Sequence, residues 1–334
     1  MAAYTTIDNP ELYFQVKLYT GNATSDTAIT LDGDENMQPD LVWIKERNST
    51  SNNEVVDSVR GATKFILTDS TNAEGTEAEG LKSFDSDGFT LGDNGSYNQS
   101  SSYTYVAWCW KETADAGFDI VSYTGNGSAR TISHSLSAKP RLIIQKNRSA
   151  GSTQWRVQHG SLGAEKHMAL DATQAVGDAS SVWNDTEPTT SVFSVGDDAA
   201  VNGNTNNCIT YLWAEKQGFS KFGKYTGNNN SNGTFVYTGF RPAWVMIKMS
   251  DSTKSWQIYD NKRFTSNPIN AYLTLNADTT AAESYGTVYP IDFLSNGFKF
   301  HTDTSEVNAS NTYIYMAFAE APFVNSKGVP CNAR

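Results

Sequence analysis

Residues 242–248 read PAWVMIK, and the same pattern stands at residues 39–45 (PDLVWIK) and 140–146 (PRLIIQK). Each stretch begins with proline, continues through mostly apolar residues and ends with lysine at the same offset. A run this short and this rich in Val, Ile, Leu and Trp predicts a β-strand buried on both faces rather than a helix. Proline suits its first position, because an N-terminal strand residue need not donate to the ladder. The lysine is expected to give this Pro-to-Lys strand a solvated end.

Other motifs recur around the Pro-to-Lys strand. The sequence YTGN precedes it at residues 19–22, 123–126 and 225–228. A phenylalanine five or six residues before each YTGN begins a first strand, and Thr-Gly-Asn is its terminating turn, since Gly and Asn tolerate positive φ. Further along each copy, an asparagine is followed seven residues later by a tyrosine that begins an aromatic closing strand. The pairs are Asn98 and Tyr105, Asn204 and Tyr211, and Asn308 and Tyr315.

These recurrences predict an all-β protein of three tandem β-sandwich repeats, jelly-roll-like and about 104 residues each. Copy one is residues 1–111, copy two is residues 112–216, and copy three is residues 217–334 with an extended C-terminal tail. The copies adjoin without a flexible Gly/Ser linker. Helix is nearly absent from the pattern, and a single helical turn is expected at residues 165–172.

Composition limits the possible partners. A net charge of −11 argues against binding nucleic acid through its phosphates. No run of 18 apolar residues occurs, so we expect no membrane insertion, and the first residues do not resemble a signal peptide. Three cysteines without a close pair predict reduced thiols rather than disulfides or a thiolate metal site. In a linear array of copies, Cys109 and Cys208 are expected to lie too far apart to form a bridge.

No constellation of catalytic residues is found in the sequence. The four histidines stand at unmatched positions and no Gly-x-Ser-x-Gly occurs, so we predict no enzyme, no catalytic residue, no cofactor and no metal. Residues 32–36 (DGDEN) resemble the start of a calcium loop, but Met37 and Trp43 stand where glycine and glutamate are needed. A solvated hairpin loop is the favoured interpretation, with calcium binding as the alternative.

Exposed tryptophans would indicate carbohydrate binding, because sugar rings stack on aromatic faces. Four of them lie on strands expected in the core: Trp43, Trp108, Trp213 and Trp244. Trp110 and Trp183 are the candidates for exposure, and therefore for contact with a glycan.

A charged pattern follows the Pro-to-Lys strand in two copies. Lys45 is followed by Asp57 and Arg60 in copy one, and Lys248 is followed at the same offsets by Asp260 and Arg263 in copy three. His159 and Leu162 stand at the Asp and Arg positions of copy two. We favour a structural cluster of Lys, Asp and Arg that closes one end of a sandwich; the alternative is a site for an anionic ligand.

The assembled motifs resemble a known family. They include YTGN, DSVRG at residues 57–61, FDSDGF at residues 84–89, GFRP at residues 239–242 and AFAEAPF at residues 317–323. Together they are similar to an uncharacterised repeat domain of virion proteins of marine tailed bacteriophages, often labelled tail-fibre-like or lectin-like. The similarity covers nearly the whole chain and brings no catalytic residues with it.

The resemblance implies a non-enzymatic structural component on the exterior of a virion, as a tail fibre, a tail tip or a capsid decoration. Such a protein is assembled in the host cytoplasm. Its expected partners are other virion proteins and further copies of itself. The alternative function is a carbohydrate-binding module that recognises host surface glycans, and a polysaccharide-degrading enzyme is the least favoured class.

Overall fold

The structure is a computed structural model that describes residues 4–263, 267, 274–283 and 289–331, and these are nearly all β. Copy one contains β1 (Phe14–Thr20), β2 (Thr27–Thr30), β3 (Leu41–Glu46), β4 (Asn53–Asp57), β5 (Lys64–Leu67), β6 (Gly75–Thr76), β7 (Leu81–Asp85), β8 (Gly88–Leu91) and β9 (Thr104–Trp110). Copy two contains β10 (Phe118–Thr124), β11 (Arg130–Ser133), β12 (Pro140–Asn147), β13 (Arg156–His159), β14 (Lys166–Ala169), β15 (Gly177–Asp178), β16 (Val192–Val195) and β17 (Asn207–Ala214). Copy three contains β18 (Ser220–Thr226), β19 (Phe235–Tyr237), β20 (Phe240–Met249), β21 (Gln257–Asp260), β22 (Leu275–Asn276), β23 (Ile291–Leu294), β24 (Gly297–Phe300) and β25 (Thr312–Pro322).

Helical structure in the described residues is limited to single turns. They are a 3₁₀ turn at Pro10–Leu12 and the four-residue helices α1 (Gly95–Asn98), α2 (Ser180–Trp183) and α3 (Ala199–Asn202). The helical turn predicted at residues 165–172 is wrong, because β14 occupies that segment and pairs with β13. Pairing with a neighbouring strand outweighs the intrinsic helix preference of so short a run.

Each copy forms one large antiparallel sheet and one smaller sheet. The large sheets have the orders β1-β9-β3-β4-β5-β6, β10-β17-β12-β13-β14-β15 and β18-β25-β20-β21-β22. The smaller sheets are β2-β8-β7, β11-β16 and β19-β24-β23. The three Pro-to-Lys strands β3, β12 and β20 are third in their sheets, next to the closing strand, so each lies inside a sheet rather than at its edge.

The Pro-to-Lys strand is buried on both faces, as predicted. In copy one all six residues of β3 are buried. Val42 and Ile44 point to one side and pack with Phe89 of the smaller sheet, which makes the copy sandwich-like. Trp43, on the opposite face, belongs to a second hydrophobic cluster that includes residues of all three copies.

This second cluster, the shared core, joins the large sheets to one another. The ring of Trp110 lies 6.3 Å from that of Trp213 and 5.7 Å from that of Trp244, centroid to centroid. Phe14 stacks on Phe318 at 5.0 Å. The expected linear array is therefore wrong, because each large sheet turns one apolar face to the other two copies. No disulfide joins Cys109 and Cys208, which are both buried thiols.

The register of the closing strands differs from the one predicted. Trp43, Ile144 and Met246 pair with Trp108, Tyr211 and Met316, so those three closing-strand residues are equivalent. Tyr105 is consequently equivalent to Cys208 and Tyr313, and its alignment with Tyr211 and Tyr315 is wrong. The loops before the closing strands differ in length, which a fixed seven-residue spacing conceals.

Within the described residues, no helix is apolar and long enough to pass through a membrane.

Candidate functional site

The lysines that end the Pro-to-Lys strands lie at the junctions between copies. Lys45, Lys146 and Lys248 are fully buried, so the predicted solvated end is wrong. Each Nζ donates to a backbone carbonyl of another copy: Lys45 to Thr280 at 2.9 Å, Lys146 to Thr71 at 3.0 Å, and Lys248 to Thr173 at 3.1 Å. Burial disfavours the ammonium and lowers the pKa of each lysine to about 8.

A second set of bonds follows the same circular order. Trp155 Nε1 of copy two donates to the carbonyl of Leu67 in copy one at 2.8 Å, and Trp256 Nε1 of copy three donates to Ala169 in copy two at 2.9 Å. Copy one has Asn53 at this position, and its Nδ2 donates to Asn276 of copy three at 3.2 Å. These bonds join copy two to copy one, copy three to copy two, and copy one to copy three. The junctions therefore close into a ring.

The Asp-x-x-Arg pattern of copy one forms a buried ion pair. Arg60 Nε lies 2.5 Å from Asp57 Oδ2, and neither side chain is exposed. The hydroxyl of Tyr211 in copy two donates to the same Asp57 oxygen at 2.6 Å. Copy three repeats the arrangement with Asp260 and Arg263, again at 2.5 Å and again fully buried. Trp108 Nε1 of copy one donates to Asp260 Oδ2 at 3.0 Å.

His159 replaces the aspartate in copy two, as the sequence alignment predicted. It pairs with Leu142 across β12 and β13, as Asp57 pairs with Leu41 across β3 and β4. Its Nδ1 accepts from the N–H of Ser161 at 3.2 Å, so Nε2 carries the proton and donates to the carbonyl of Tyr315 in copy three at 3.1 Å. Burial lowers the pKa of His159 to about 4, which keeps the ring neutral.

The neighbour across the junction accounts for this replacement. Tyr211 and Trp108 each offer an O–H or N–H to the facing aspartate, but the equivalent residue of copy three is Met316, which has neither. A buried carboxylate opposite Met316 would lack this donor from the neighbouring copy, and an unsatisfied buried group costs about 1–3 kcal/mol or more. Histidine instead brings its own N–H to a backbone carbonyl. Leu162, at the arginine position, packs against the shared core.

The predicted clustering of lysine with Asp and Arg is wrong. Lys45 pairs with Asn53 on β4, whereas Asp57 at the other end of β4 pairs with Leu41. Four residues of extended strand separate the two levels by about 13 Å. The lysine junctions and the Asp–Arg junctions are thus two separate rings of contacts. Arg60 is fully buried against Asp57, so it presents no surface to an anion.

Trp110 and Trp183 are both buried, and their predicted exposure is wrong. Only 2 % of Trp110 and 1 % of Trp183 are accessible. Trp110 ends β9 on the side that faces the shared core, and Trp183 sits on α2 in the inner core of copy two. Trp110 is covered by residues of the other copies, which no local sequence pattern predicts, whereas Trp183 is covered by the core of copy two itself. Neither ring offers a face to a sugar.

Among the residues that the structure describes, the exposed aromatic side chains are on β19 instead. Phe235 is 43 % exposed and Tyr237 is 54 % exposed, on either side of the buried Val236. Val236 pairs with Phe298, just as Ile29 pairs with Phe89 and Ile132 with Phe193 in the other copies. The positions equivalent to the two exposed rings are held by small residues in the other copies: Ala28 and Thr30 in copy one, Thr131 and Ser133 in copy two. The sequence does carry a signal for this difference: between YTGN and the Pro-to-Lys strand, copies one and two contain no Phe, Tyr or Trp, whereas copy three has Phe235 and Tyr237 there.

A cleft of about 290 Å³ adjoins Tyr237. Its walls include Tyr4, Glu215 and Lys221. The hydroxyl of Tyr4 donates to the carbonyl of Gly239 at 2.7 Å and lies 3.4 Å from the hydroxyl of Tyr237. Lys221 Nζ contacts Glu215 Oε1 at 2.7 Å, so the two opposite charges in the wall compensate each other. We call Tyr4, Glu215, Lys221, Phe235 and Tyr237 the Tyr237 surface.

The acidic loop at residues 32–36 contains one ion pair. Lys17 Nζ lies 2.5 Å from Asp32 Oδ1, which places a cation of the protein at the first carboxylate of the candidate calcium loop. In the described part of the chain, no three His, Cys, Asp or Glu side chains come together as a possible metal site.

Comparison with known families gives a match. The profile of a family described as "Domain of unknown function (DUF7483)" matches residues 9–322. The chain belongs to this family. The DUF7483 match spans all three copies and ends at the last residue of β25. A search of curated proteins finds no match.

Proposed function

We propose that this DUF7483 protein is a non-enzymatic structural component of a bacteriophage virion, on the particle exterior as a tail fibre, tail tip or capsid decoration. The observation that carries the proposal is the closed ring of hydrogen bonds that buried lysine, tryptophan and asparagine side chains make between copies. The lysine and Trp/Asn contacts run from each copy to another in one circular order. A particle exterior requires parts that stay folded without a cellular environment, and a closed ring supplies no weak end at which unfolding begins.

The proposal includes an architecture: three β-sandwich repeats, jelly-roll-like, with boundaries at residues 1–111, 112–216 and 217–334. Support comes from the common order of the large sheets, with the first strand, the closing strand and the Pro-to-Lys strand adjacent in each. Further support comes from the equivalent registers of β3, β12 and β20 with their closing strands. The repeats pack around the shared core.

Burial of the ion pairs is also consistent with a virion in salt water. Exposed charge pairs are screened at high ionic strength, whereas buried pairs are screened much less. The Asp57–Arg60 and Asp260–Arg263 pairs have no exposed side-chain surface. The resemblance to proteins of marine phages supplies the saline setting.

Immuno-electron microscopy of the particles tests this role. An antibody raised against the purified protein should label intact virions of the encoding phage at one defined position, and mass spectrometry of purified virions should detect the protein. Light scattering of the purified protein should show a homo-oligomer, and cross-linking should join it to another virion protein. Absence of the protein from virions that are purified free of host material would contradict the proposal.

A carbohydrate-binding module that recognises host surface glycans is the second candidate function. The observation that favours it is the exposure of Phe235 and Tyr237 beside a polar cleft. The two roles are compatible, because an appendage on a virion can also contact the host surface.

A further inference from the structure

We propose that the Tyr237 surface is a binding site for an uncharged pyranose sugar. The inference rests on the second candidate function, carbohydrate binding, and deepens it, because it assigns the site residues and the ligand class. It also differs from the tryptophan sites expected from the sequence, both of which are buried.

Comparison of the copies shows that the two aromatic side chains are not required by the fold. The outward positions of the equivalent strands carry Ala28 and Thr30 in copy one, and these strands pair in the same register. An exposed ring buries little apolar area and therefore contributes little to stability. Two such rings side by side, on one strand of one copy, indicate a surface that makes contact with something else.

Packing within the sheet explains only in part why a phenylalanine stands at position 235, and it does not explain Tyr237. The Phe235 ring lies over Gly297, where a Cβ would come within 3.0 Å of the ring edge. Aromatic side chains do cover glycines in sheets. Copy one, however, has Gly88 at the same register position with Ala28 diagonally opposite, so a glycine there does not demand a ring. Tyr237 pairs directly with Gly297, and it remains 54 % exposed.

The chemistry of the surface matches a sugar. A pyranose has an apolar C–H face that stacks on an aromatic ring and an edge of hydroxyl groups that need hydrogen bonds. Tyr237 provides a ring face and a hydroxyl, and Tyr4 adds a second hydroxyl 3.4 Å away. The cleft of about 290 Å³ is near the lower end of the ~300–1,000 Å³ range of small-molecule sites, which suits one sugar residue.

The charges of the cleft favour an uncharged ligand. Lys221 and Glu215 are paired at 2.7 Å, so an added anion or cation would compete with an existing partner. Their remaining lone pairs and N–H groups can still bond sugar hydroxyls. Phe235 and Tyr237 point the same way and are about 6.5–7 Å apart along the strand, which lets a second sugar unit contact the Phe235 ring.

Saturation-transfer NMR with methyl glycosides of glucose, galactose, mannose and N-acetylglucosamine, at millimolar concentration, tests the site. At least one glycoside should receive saturation through its ring C–H protons. The Phe235→Ala/Tyr237→Ala double variant should weaken that binding at least tenfold with an unchanged melting temperature. The matched control is Thr131→Ala/Ser133→Ala, which alters the equivalent positions of copy two and should leave the signal as it is.

Three outcomes would overturn the sugar assignment. The first is that no glycoside of the panel receives saturation from the wild-type protein. The second is that the double variant retains the signal. The third is that the surface binds a proline-rich peptide while the sugars give no response. None of these outcomes affects the location of the protein in the virion, which immuno-electron microscopy decides separately.

Discussion

Asp57, His159 and Asp260 hold one equivalent position and face three different neighbours. The two aspartates receive a hydrogen bond from Tyr211 or Trp108 of another copy, and His159 donates to a carbonyl beside Met316. The sequence predicted correctly that His159 replaces the acid. It could not show why, because the residue that decides the choice belongs to another copy, roughly 150 positions away along the chain.

Removal of Asp260 should be strongly destabilising. Asp260→Ala leaves Arg263 buried without its main counter-charge, and breaking a buried pair from one side costs about 3–5 kcal/mol. Urea unfolding at low and high salt should give similar losses, since the pair is shielded from solvent. Lys254→Ala is the control, because its contact with Glu306 is partly exposed and worth less than about 1 kcal/mol. A loss below about 1 kcal/mol for Asp260→Ala would show that the junction is not buried in solution.

His159 should make the protein less stable as the pH falls. Its pKa is about 4 in the folded protein, against an unperturbed value of 6.5, so the unfolded chain binds more protons between these two values. Stability therefore decreases as pH falls through this window, by up to about 3 kcal/mol in total.

The His159→Gln variant isolates this effect. Glutamine can keep an N–H for the Tyr315 carbonyl but does not titrate. The stability of the wild type relative to His159→Gln, measured by urea unfolding, should fall from pH 7 to pH 4, while titration of all other groups cancels in the difference. A difference that stays constant over this range would mean that His159 is not buried in its neutral form.

For the strands and turns, the sequence correctly predicted the features that depend on residues close together in the chain. The Pro-to-Lys strand is apolar at nearly every position, which is sufficient to place it inside a sheet and between two cores. The YTGN turn was recognised, but for the wrong reason. Gly21 is needed because a Cβ there would lie 1.9 Å from the carbonyl oxygen of Gln99, a close approach of two backbones rather than a positive φ.

A second asparagine hydrogen-bonds to the asparagine of each YTGN, and we call this contact the clasp. In copy two, the clasp shows that the predicted alignment of the second asparagine is wrong. Asn98 and Asn308 each donate through Nδ2 to the YTGN asparagine and to two carbonyls. In copy two Asn202 makes these bonds, to Asn126, Ser128 and Gly196, and the predicted Asn204 is exposed. Spacing alone could not separate two asparagines that are two residues apart.

Substitution of these two asparagines should give very different results. Asn202→Ala removes the clasp and leaves buried backbone groups without partners, each worth about 1–3 kcal/mol, so a total loss of about 3 kcal/mol is expected. Asn204→Ala should change the free energy of unfolding by less than about 0.5 kcal/mol. Equal losses in chemical unfolding of the two variants would restore the original alignment.

The buried rings at the ends of strands should matter as much as those in the middle. Trp110 and Trp244 lie together in the shared core, with ring centroids 5.7 Å apart. Trp110→Ala and Trp244→Ala should each cost about 3–5 kcal/mol, whereas Phe235→Ala on the surface should cost far less. Thermal unfolding of the three variants measures the contrast. A small loss for Trp110→Ala would favour the exposed ring that the sequence suggested.

At the scale of the whole molecule, the sequence did not predict how the copies pack against one another. The recurring motifs predict the copies and their order, but the shared core is made by rings that any single copy would also bury in a core of its own. Contacts such as Trp155 with Leu67, or Lys45 with Thr280, join segments with no common pattern. The family profile covers residues 9–322 as one unit, in agreement with a core that is not divisible by copy.

Unfolding should consequently be a single cooperative event. Calorimetry of the intact chain should show one transition with equal calorimetric and van't Hoff enthalpies. A fragment of residues 112–216 should not fold alone, because Trp213 and Tyr211 would lose the neighbours that cover them. Three separate transitions, or a fragment with a dispersed NMR spectrum, would show that each copy is an independent domain.

Asp8 and Ser326 give the ring a mechanical property. The N–H of Ser326 donates to Asp8 Oδ1 at 2.7 Å, and the nearby Thr5 hydroxyl donates to Gln217 of copy three at 2.9 Å. A tension applied between residues 8 and 326 would therefore not pass through the three copies in series. It would act on this single seam and leave the remainder of the ring unloaded. In a protein built in this way, the contact between copies one and three bears the tension, and the three copies are not stretched one after another.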